Sequence, residues 1–144
     1  MKKILDVPFL RQSFAYSCLP ACVRMILKYY GDDVSEKILY KTSMLPGHKG
    51  CWDVRISQFV MRKGYDFISF SNGPVEGWTS NKEVIKIIKK ESKIARKKGM
   101  RHKKNASVSI IKKFIYKGVP VIAEIHAGKF YNKDFNWTHT IVII

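Results

Sequence analysis

Two runs near the end of the chain leave little freedom in how they fold. Val119-Pro120-Val121-Ile122-Ala123-Glu124-Ile125 and His139-Thr140-Ile141-Val142-Ile143-Ile144 are apolar and rich in β-branched residues. Such side chains lose rotamer freedom in a helix but pack well on a pleated surface, so both runs predict strands. The segment between them is rich in Gly, Asn and Asp, which predicts a hairpin at the centre of a sheet. Most of the chain before them has helical spacing instead. Helices first and strands last is the α+β order.

The first helix is expected over 17–30. Ser17 suits the N-cap, Pro20 falls in the first turn where a missing N–H costs little, and Gly31 supplies the stop. Cys18, Cys22 and Ile26 share one line of this helix, with Leu19, Val23, Leu27 and Tyr30 beside it, a broad apolar face. A short second helix follows Asp33-Val34-Ser35-Glu36, where Asp33 and Glu36 have capping-box spacing. A third spans 52–63, with Trp52, Ile56, Phe59 and Val60 in phase and Gly64 at its end. Residues 65–71 read as a strand closed by the turn Asn72-Gly73-Pro74. Ser80-x-x-Glu83 is a second capping box, opening a helix with an apolar stripe of Val84, Ile87, Ile88, Ile94 and Ala95. Lys86, Lys89, Lys90, Lys93 and Lys97 face away, as a solvated side would. Residues 97–105 read as a basic loop, and a last helix over about 107–117 ends at Gly118.

A chain of 144 residues is one domain's worth of material, and 46% hydrophobic residues exclude wholesale disorder. No apolar run reaches the ~18 residues of a membrane span, and Asp6 and Pro8 interrupt the start before a signal-length stretch forms. Three cysteines are too few, and odd in number, for a disulfide framework, so reduced thiols in a cytoplasm are expected. Charge is uneven. Residues 82–117 carry fourteen Lys and Arg against Glu83 and Glu91, which is +12 of the net +16. That concentration predicts an acidic partner for the segment: nucleic acid, phospholipid headgroups or an acidic peptide. Only Phe114 and Tyr116 lie within it, so base-stacking platforms are scarce.

Cys18 is the position most charged with chemistry. A cysteine in the first turn of a helix sits among unpaired N–H groups at the positive end of the macrodipole, which suits a reactive thiol. Gln12, six residues earlier, offers a side-chain amide that with the Cys18 backbone N–H makes an oxyanion hole. The base must come from His48, His102, His126 or His139. His102 lies in the basic stretch, whereas His126 and His139 flank the hairpin loop and His139 opens an apolar strand. Two other readings compete. Cysteine is often a buried apolar residue on a helix face. Cys18-x-x-x-Cys22 with His48-x-x-Cys51 also offers four zinc-type ligands, though the spacing of the first pair departs from the usual knuckle.

Together these residues resemble a known family. Val7-Pro8-x-x-x-Gln12-x-x-x-x-x-Cys18-x-x-Ala21-Cys22-x-x-Met25-Ile26-Leu27-x-Tyr29-Tyr30-Gly31 is similar to the opening of the bacteriocin-processing, double-glycine leader cysteine peptidases and their stand-alone relatives. Gly118-x-Pro120-Val121 and His139-x-Ile141-Val142 resemble the same family's closing strands, and the middle, about 72–112, is less recognisable. The resemblance implies a papain-like fold in which an N-terminal helix carrying the nucleophile packs on a C-terminal antiparallel sheet. It also implies Cys18 as nucleophile, His139 as general base and later acid, and Gln12 as oxyanion-hole donor. The reaction would be amide hydrolysis of a peptide or protein substrate through a thioester, with cleavage after Gly-Gly and no cofactor.

Two departures stand out. Leu19 occupies the position after the nucleophile where the family usually has Gly. The family's orienting Asp, on the strand after the His, has no counterpart, because the sequence ends five residues past His139. Asp134 and Asn136, in the preceding loop, are poor substitutes. The expectation is therefore a single domain over 1–144 whose sheet is incomplete, read as cut short before its last strands, with a basic helical insertion over 76–117. An apolar last strand without a neighbour would also favour self-association. The alternative functions are a catalytically weak or inactive papain-like module that binds an acidic peptide or nucleic acid, and a thiol acyltransferase that resolves the thioester with an amine.

Overall fold

The computed structural model describes residues 4–48, 50–72, 79–130, 132 and 138–144. Its elements run α1 (Cys18–Tyr29), α2 (Glu36–Ser43), α3 (Asp53–Arg62), β1 (Ile68–Phe70), α4 (Lys82–Lys97), β2 (Arg101–Lys103), α5 (Val108–Tyr116), β3 (Val121–His126), α6 (Ala127–Phe130) and β4 (Thr138–Ile143). This mixture of helix and strand fits the expected α+β class. The contacts divide the chain into two compact units, one of Met1–Leu39 with Val108–Ile144 and one of Tyr40–Ser107.

In the first unit, α1 begins where its sequence predicts. The Ala21 N–H donates to the Ser17 carbonyl at 2.9 Å, the first turn of helical bonding, and Pro20 falls within that turn. At the other end Gly31 takes a left-handed φ of +87°, and the Asp32 N–H turns back to the Leu27 carbonyl at 2.9 Å. Ala21, Cys22, Val23 and Leu27 are buried, so the expected apolar face is the packed one. β3 and β4 pair antiparallel, from Val121 opposite Ile143 to His126 opposite Thr138. α1 lies against β4, with the Cys22 thiol 3.4 Å from the Thr140 carbonyl oxygen.

Three expectations in this unit are corrected. The hairpin connection is not wholly loop, because α6 follows β3 directly and its Lys129 N–H donates to His126 Nδ1 at 3.3 Å. Among the described residues the β3–β4 sheet has two strands, so the pair is not at the centre of a larger sheet. The Asp33–Glu36 capping box does not form either. Ser35 Oγ, 3.4 Å from the Ile38 N–H, caps α2, while Asp33 pairs with Arg24 at 3.3 Å and Lys28 at 3.7 Å. Glu36 is directed elsewhere.

The second unit is built on α3 and α4, which pack through Leu45, Val54, Val84 and Ile88, with Trp52 and Ile87 against them. A polar seam joins the same helices. Gln58 Nε2 donates to Glu91 at 2.7 Å, Lys98 Nζ donates to Gln58 Oε1 at 3.1 Å, and Arg55 pairs with Glu91 at 3.5 Å. The cap of α4 is Asn81 rather than Ser80, since its side-chain oxygen accepts from the N–H groups of Glu83 and Val84 at 3.0 and 3.2 Å. The lysine face reads correctly: Lys86, Lys89, Lys90, Lys93 and Lys97 are all exposed. The basic stretch that follows is not simply a loop. Its Arg101–Lys103 forms β2, parallel to β1. All three β2 residues are exposed, so no apolar alternation marked the strand. Of the turn expected at Asn72-Gly73-Pro74, Gly73 and Pro74 lie outside the described residues. Among the described residues no helix is long and apolar enough to cross a membrane.

Leu27, 2% exposed on α1, should be among the costliest truncations. Leu27→Ala is expected to lower unfolding free energy by about 2–5 kcal/mol in urea titration, whereas Lys90→Ala on the solvated face of α4 should stay within about 0.5 kcal/mol.

Candidate active site

Cys18 is the first residue of α1, so its backbone N–H has no partner within the helix. Its side chain is half-buried, and Sγ lies 3.5 Å from Thr140 Oγ1 on β4. A contact across 122 positions thus joins the helix start to the beginning of the last strand. Side chains alternate along a strand, and of the neighbours His139 and Thr140 it is Thr140 whose side chain meets the thiol. His139 is half-buried and stands opposite Ile125 in the ladder. His126, the other flanking histidine, is exposed and accepts from the Lys129 N–H through Nδ1.

Cys22 is a different thiol, one helical turn deeper. Burial, with a smaller contribution from the neighbouring Cys18, pushes its pKa up to about 12. It is a core residue. Cys51 belongs to the other unit, where it bridges to Met44, and His48 and His102 lie in that unit as well. No group of three or more His, Cys, Asp or Glu residues poised for a metal occurs among the described residues. Asp134 and Asn136 fall outside them.

The loop before Cys18 carries Gln12, whose Nε2 donates to the Phe14 carbonyl at 3.2 Å. An amide nitrogen has two protons, so one such bond leaves the second available to an oxyanion. Phe14 is also tied to the helix cap. Its N–H donates to Ser17 Oγ at 3.2 Å, and its carbonyl lies 2.7 Å from the same hydroxyl. Between them Tyr16 holds a positive φ of 61°, a strained backbone for a residue with a bulky side chain.

Glu36, 3% exposed at the start of α2, closes the arrangement. Oε1 accepts from Ser17 Oγ at 2.6 Å and from the Ser13 N–H at 2.8 Å, and Oε2 accepts from Ser13 Oγ at 3.0 Å. Burial by itself would raise its pKa. The bonds from Ser17 and Ser13 and the charge of Arg24 together outweigh that, and hold it below the ordinary carboxylate range. Its contribution to stability is therefore present above the unfolded-state pKa and is lost as acid carries the pH down through the lowered native value. Ser17 is thus the N-cap by position but not by bonding: its hydroxyl makes no cap bond and serves the loop instead. Thr140, Ser13 and Glu36 were not legible as site residues in the sequence. Glu36 carried a signal, its spacing from Asp33, but that signal pointed to a helix cap.

A helix-start cysteine, a glutamine six residues before it and a histidine-bearing strand beside the helix thus lie in one unit. The profile of the Peptidase_C39 like family matches residues 4–144, and the chain belongs to that family. No curated protein and no solved structure matches it.

The two thiols of α1 should separate cleanly in an alkylation experiment. With limiting iodoacetamide near neutral pH, Cys18 is expected to label at least about tenfold faster than Cys22, read by peptide mass spectrometry, because Cys22 stays protonated and buried.

Proposed function

We propose that this chain is a cysteine peptidase of papain-like fold, with Cys18 as nucleophile, His139 as general base and acid, and Gln12 with the Cys18 backbone N–H as the oxyanion hole. The observation that carries the reading is the 3.5 Å approach of Cys18 Sγ to Thr140, the residue after His139. It makes the helix start and the histidine-bearing strand neighbours within a family of peptidase relatives. In the reaction His139 takes the Cys18 thiol proton, the sulfur attacks the scissile carbonyl carbon, and the carbonyl oxygen becomes an oxyanion facing Gln12 Nε2 and the Cys18 N–H. The C–N bond then breaks, and the imidazolium of His139 gives its proton to the leaving amine. Water activated by the same imidazole adds to the thioester and releases the acid and the free thiol. For these transfers His139 must come within hydrogen-bond reach of Sγ. Because Thr140 holds the direct contact and successive side chains on a strand point to opposite faces, that step requires the strand start to rearrange at His139 as substrate enters. The substrate class is a peptide cleaved after Gly-Gly. A reducing cytoplasm suits three free cysteines.

One observation favours a second reading. The group against Cys18 is a neutral hydroxyl, which cannot take the thiol proton as a base does. A catalytically weak module that holds an acidic peptide would have such a site.

A peptide containing a Gly-Gly bond within a leader-like sequence separates the two. Peptidase function predicts cleavage after the second Gly, lost on Cys18→Ala and reduced at least about a hundredfold on His139→Ala, with His126→Ala nearly unchanged. Binding without cleavage, unaltered by His139→Ala, would favour the second reading.

The basic segment 82–117 is proposed as a polyanion-binding surface, supported by the exposed lysines along α4. Retention on heparin should fall steeply between low and moderate salt, because each phosphate or sulfate contact releases counterions. Retention indifferent to salt would remove the proposal.

A further inference from the structure

We propose that Glu36 is a positioning residue for the nucleophile, acting through the loop that precedes Cys18; the proposal deepens the peptidase reading and rests on it for its meaning in turnover. The carboxylate comes from a different element, the start of α2, yet it grips both ends of the five-residue segment Ser13–Ser17. One end adjoins Gln12 and the other adjoins Cys18. A single buried group therefore braces the span between Gln12 and Cys18 from outside, alongside the direct Phe14–Ser17 bonds, and the strained φ of Tyr16 lies inside that span.

The hydrogen-bond directions give the device a definite mechanism. Ser17 has one hydroxyl proton and two acceptors in reach, Glu36 Oε1 at 2.6 Å and the Phe14 carbonyl at 2.7 Å. The ionised carboxylate is the stronger acceptor and takes the proton. The Ser17 oxygen then accepts from the Phe14 N–H, and the Phe14 carbonyl accepts from the Gln12 amide and from the Ser17 N–H. Remove the carboxylate, and the Ser17 proton turns to the Phe14 carbonyl, where it competes with Gln12. The Ser13 and Ser17 bonds to the carboxylate are lost with it, and the direct Phe14–Ser17 bonds are left to hold the turn at Tyr16. Misplacement on the scale of an ångström at such a site costs about a hundredfold in rate.

Three variants test this: Glu36→Ala, Glu36→Gln and Ser17→Ala. Glu36→Gln keeps a carbonyl oxygen for Ser17 and the Ser13 N–H, and its amide nitrogen can donate to Ser13 Oγ, whose lone pairs accept as readily as its proton donates. Native-state alkylation of Cys18 by iodoacetamide is measured under conditions where circular dichroism shows each variant folded, with cleavage of the Gly-Gly peptide measured in parallel. Slowing of Cys18 alkylation by about tenfold in Glu36→Ala and Ser17→Ala, with substantial recovery in Glu36→Gln, is the expected result; in cleavage the loss should fall on kcat and spare KM. If Glu36→Ala does not fold, Ser17→Ala and Glu36→Gln decide by the same comparison. Alkylation at the wild-type rate in folded Ser17→Ala or Glu36→Ala would overturn the proposal, leaving Glu36 with a role in stability only. The peptidase reading fails separately, by absence of cleavage in the wild type, and that outcome leaves the alkylation comparison intact.

Discussion

The seat of α1 on β4 is the constraint from which the rest of the site follows. Cys18 and Cys22 lie one turn apart on the helix, and both sulfurs meet Thr140, one at its hydroxyl and one at its carbonyl. The pair of contacts fixes the rotation of the helix about its axis as well as its distance from the strand. Thiol hydrogen bonds are individually weak, so the position is secured by the apolar burial of Ala21, Val23 and Leu27 around them. Because Cys18 is also the first residue of the helix, the same contact sets where the unpaired backbone N–H groups point. Cys18, the unpaired N–H groups at the helix start and the histidine-bearing strand are thereby organised by one packing event.

The second organising group is polar. A buried carboxylate is costly unless fully bonded, and Glu36 is bonded by three donors from a loop roughly twenty residues away in sequence. Bonds to an ionised acceptor contribute about 1.5–3 kcal/mol each, enough to offset one strained backbone residue. The loop before Cys18 thus holds an unfavourable conformation at Tyr16 that its own sequence would not select.

The Tyr40–Ser107 unit solves a different problem. Its charge is segregated by a helix whose apolar side packs on α3 and whose lysine side is solvated, and Glu91 turns inward to Gln58 and Arg55. Neutralising the acidic residue within the unit leaves the outward face of α4 almost wholly cationic. The family match spans this unit as well as the one bearing Cys18.

Local patterns in the sequence were enough for much of this. The stop of α1 at Gly31, the phases of α3 and α4, the two β-branched strands and the candidacy of Cys18 all rest on interactions within a few residues, or on propensity. Where the reading missed, the deciding partner was distant. Glu36 and Asp33 have capping-box spacing, but Ser13 and Ser17 offered the carboxylate better donors, and Arg24 and Lys28 took Asp33. Arg101–Lys103 has no strand-like alternation and becomes a strand because β1 supplies backbone partners beside it. Thr140 had no mark at all, since which residue of a strand meets a helix depends on register and on the rotation of that helix. The sequence by itself determined which elements form and which thiol stands at a helix start, because those depend on near neighbours. Only the tertiary structure decided what faces that thiol and what holds its loop, because those contacts join residues about twenty to more than a hundred positions apart.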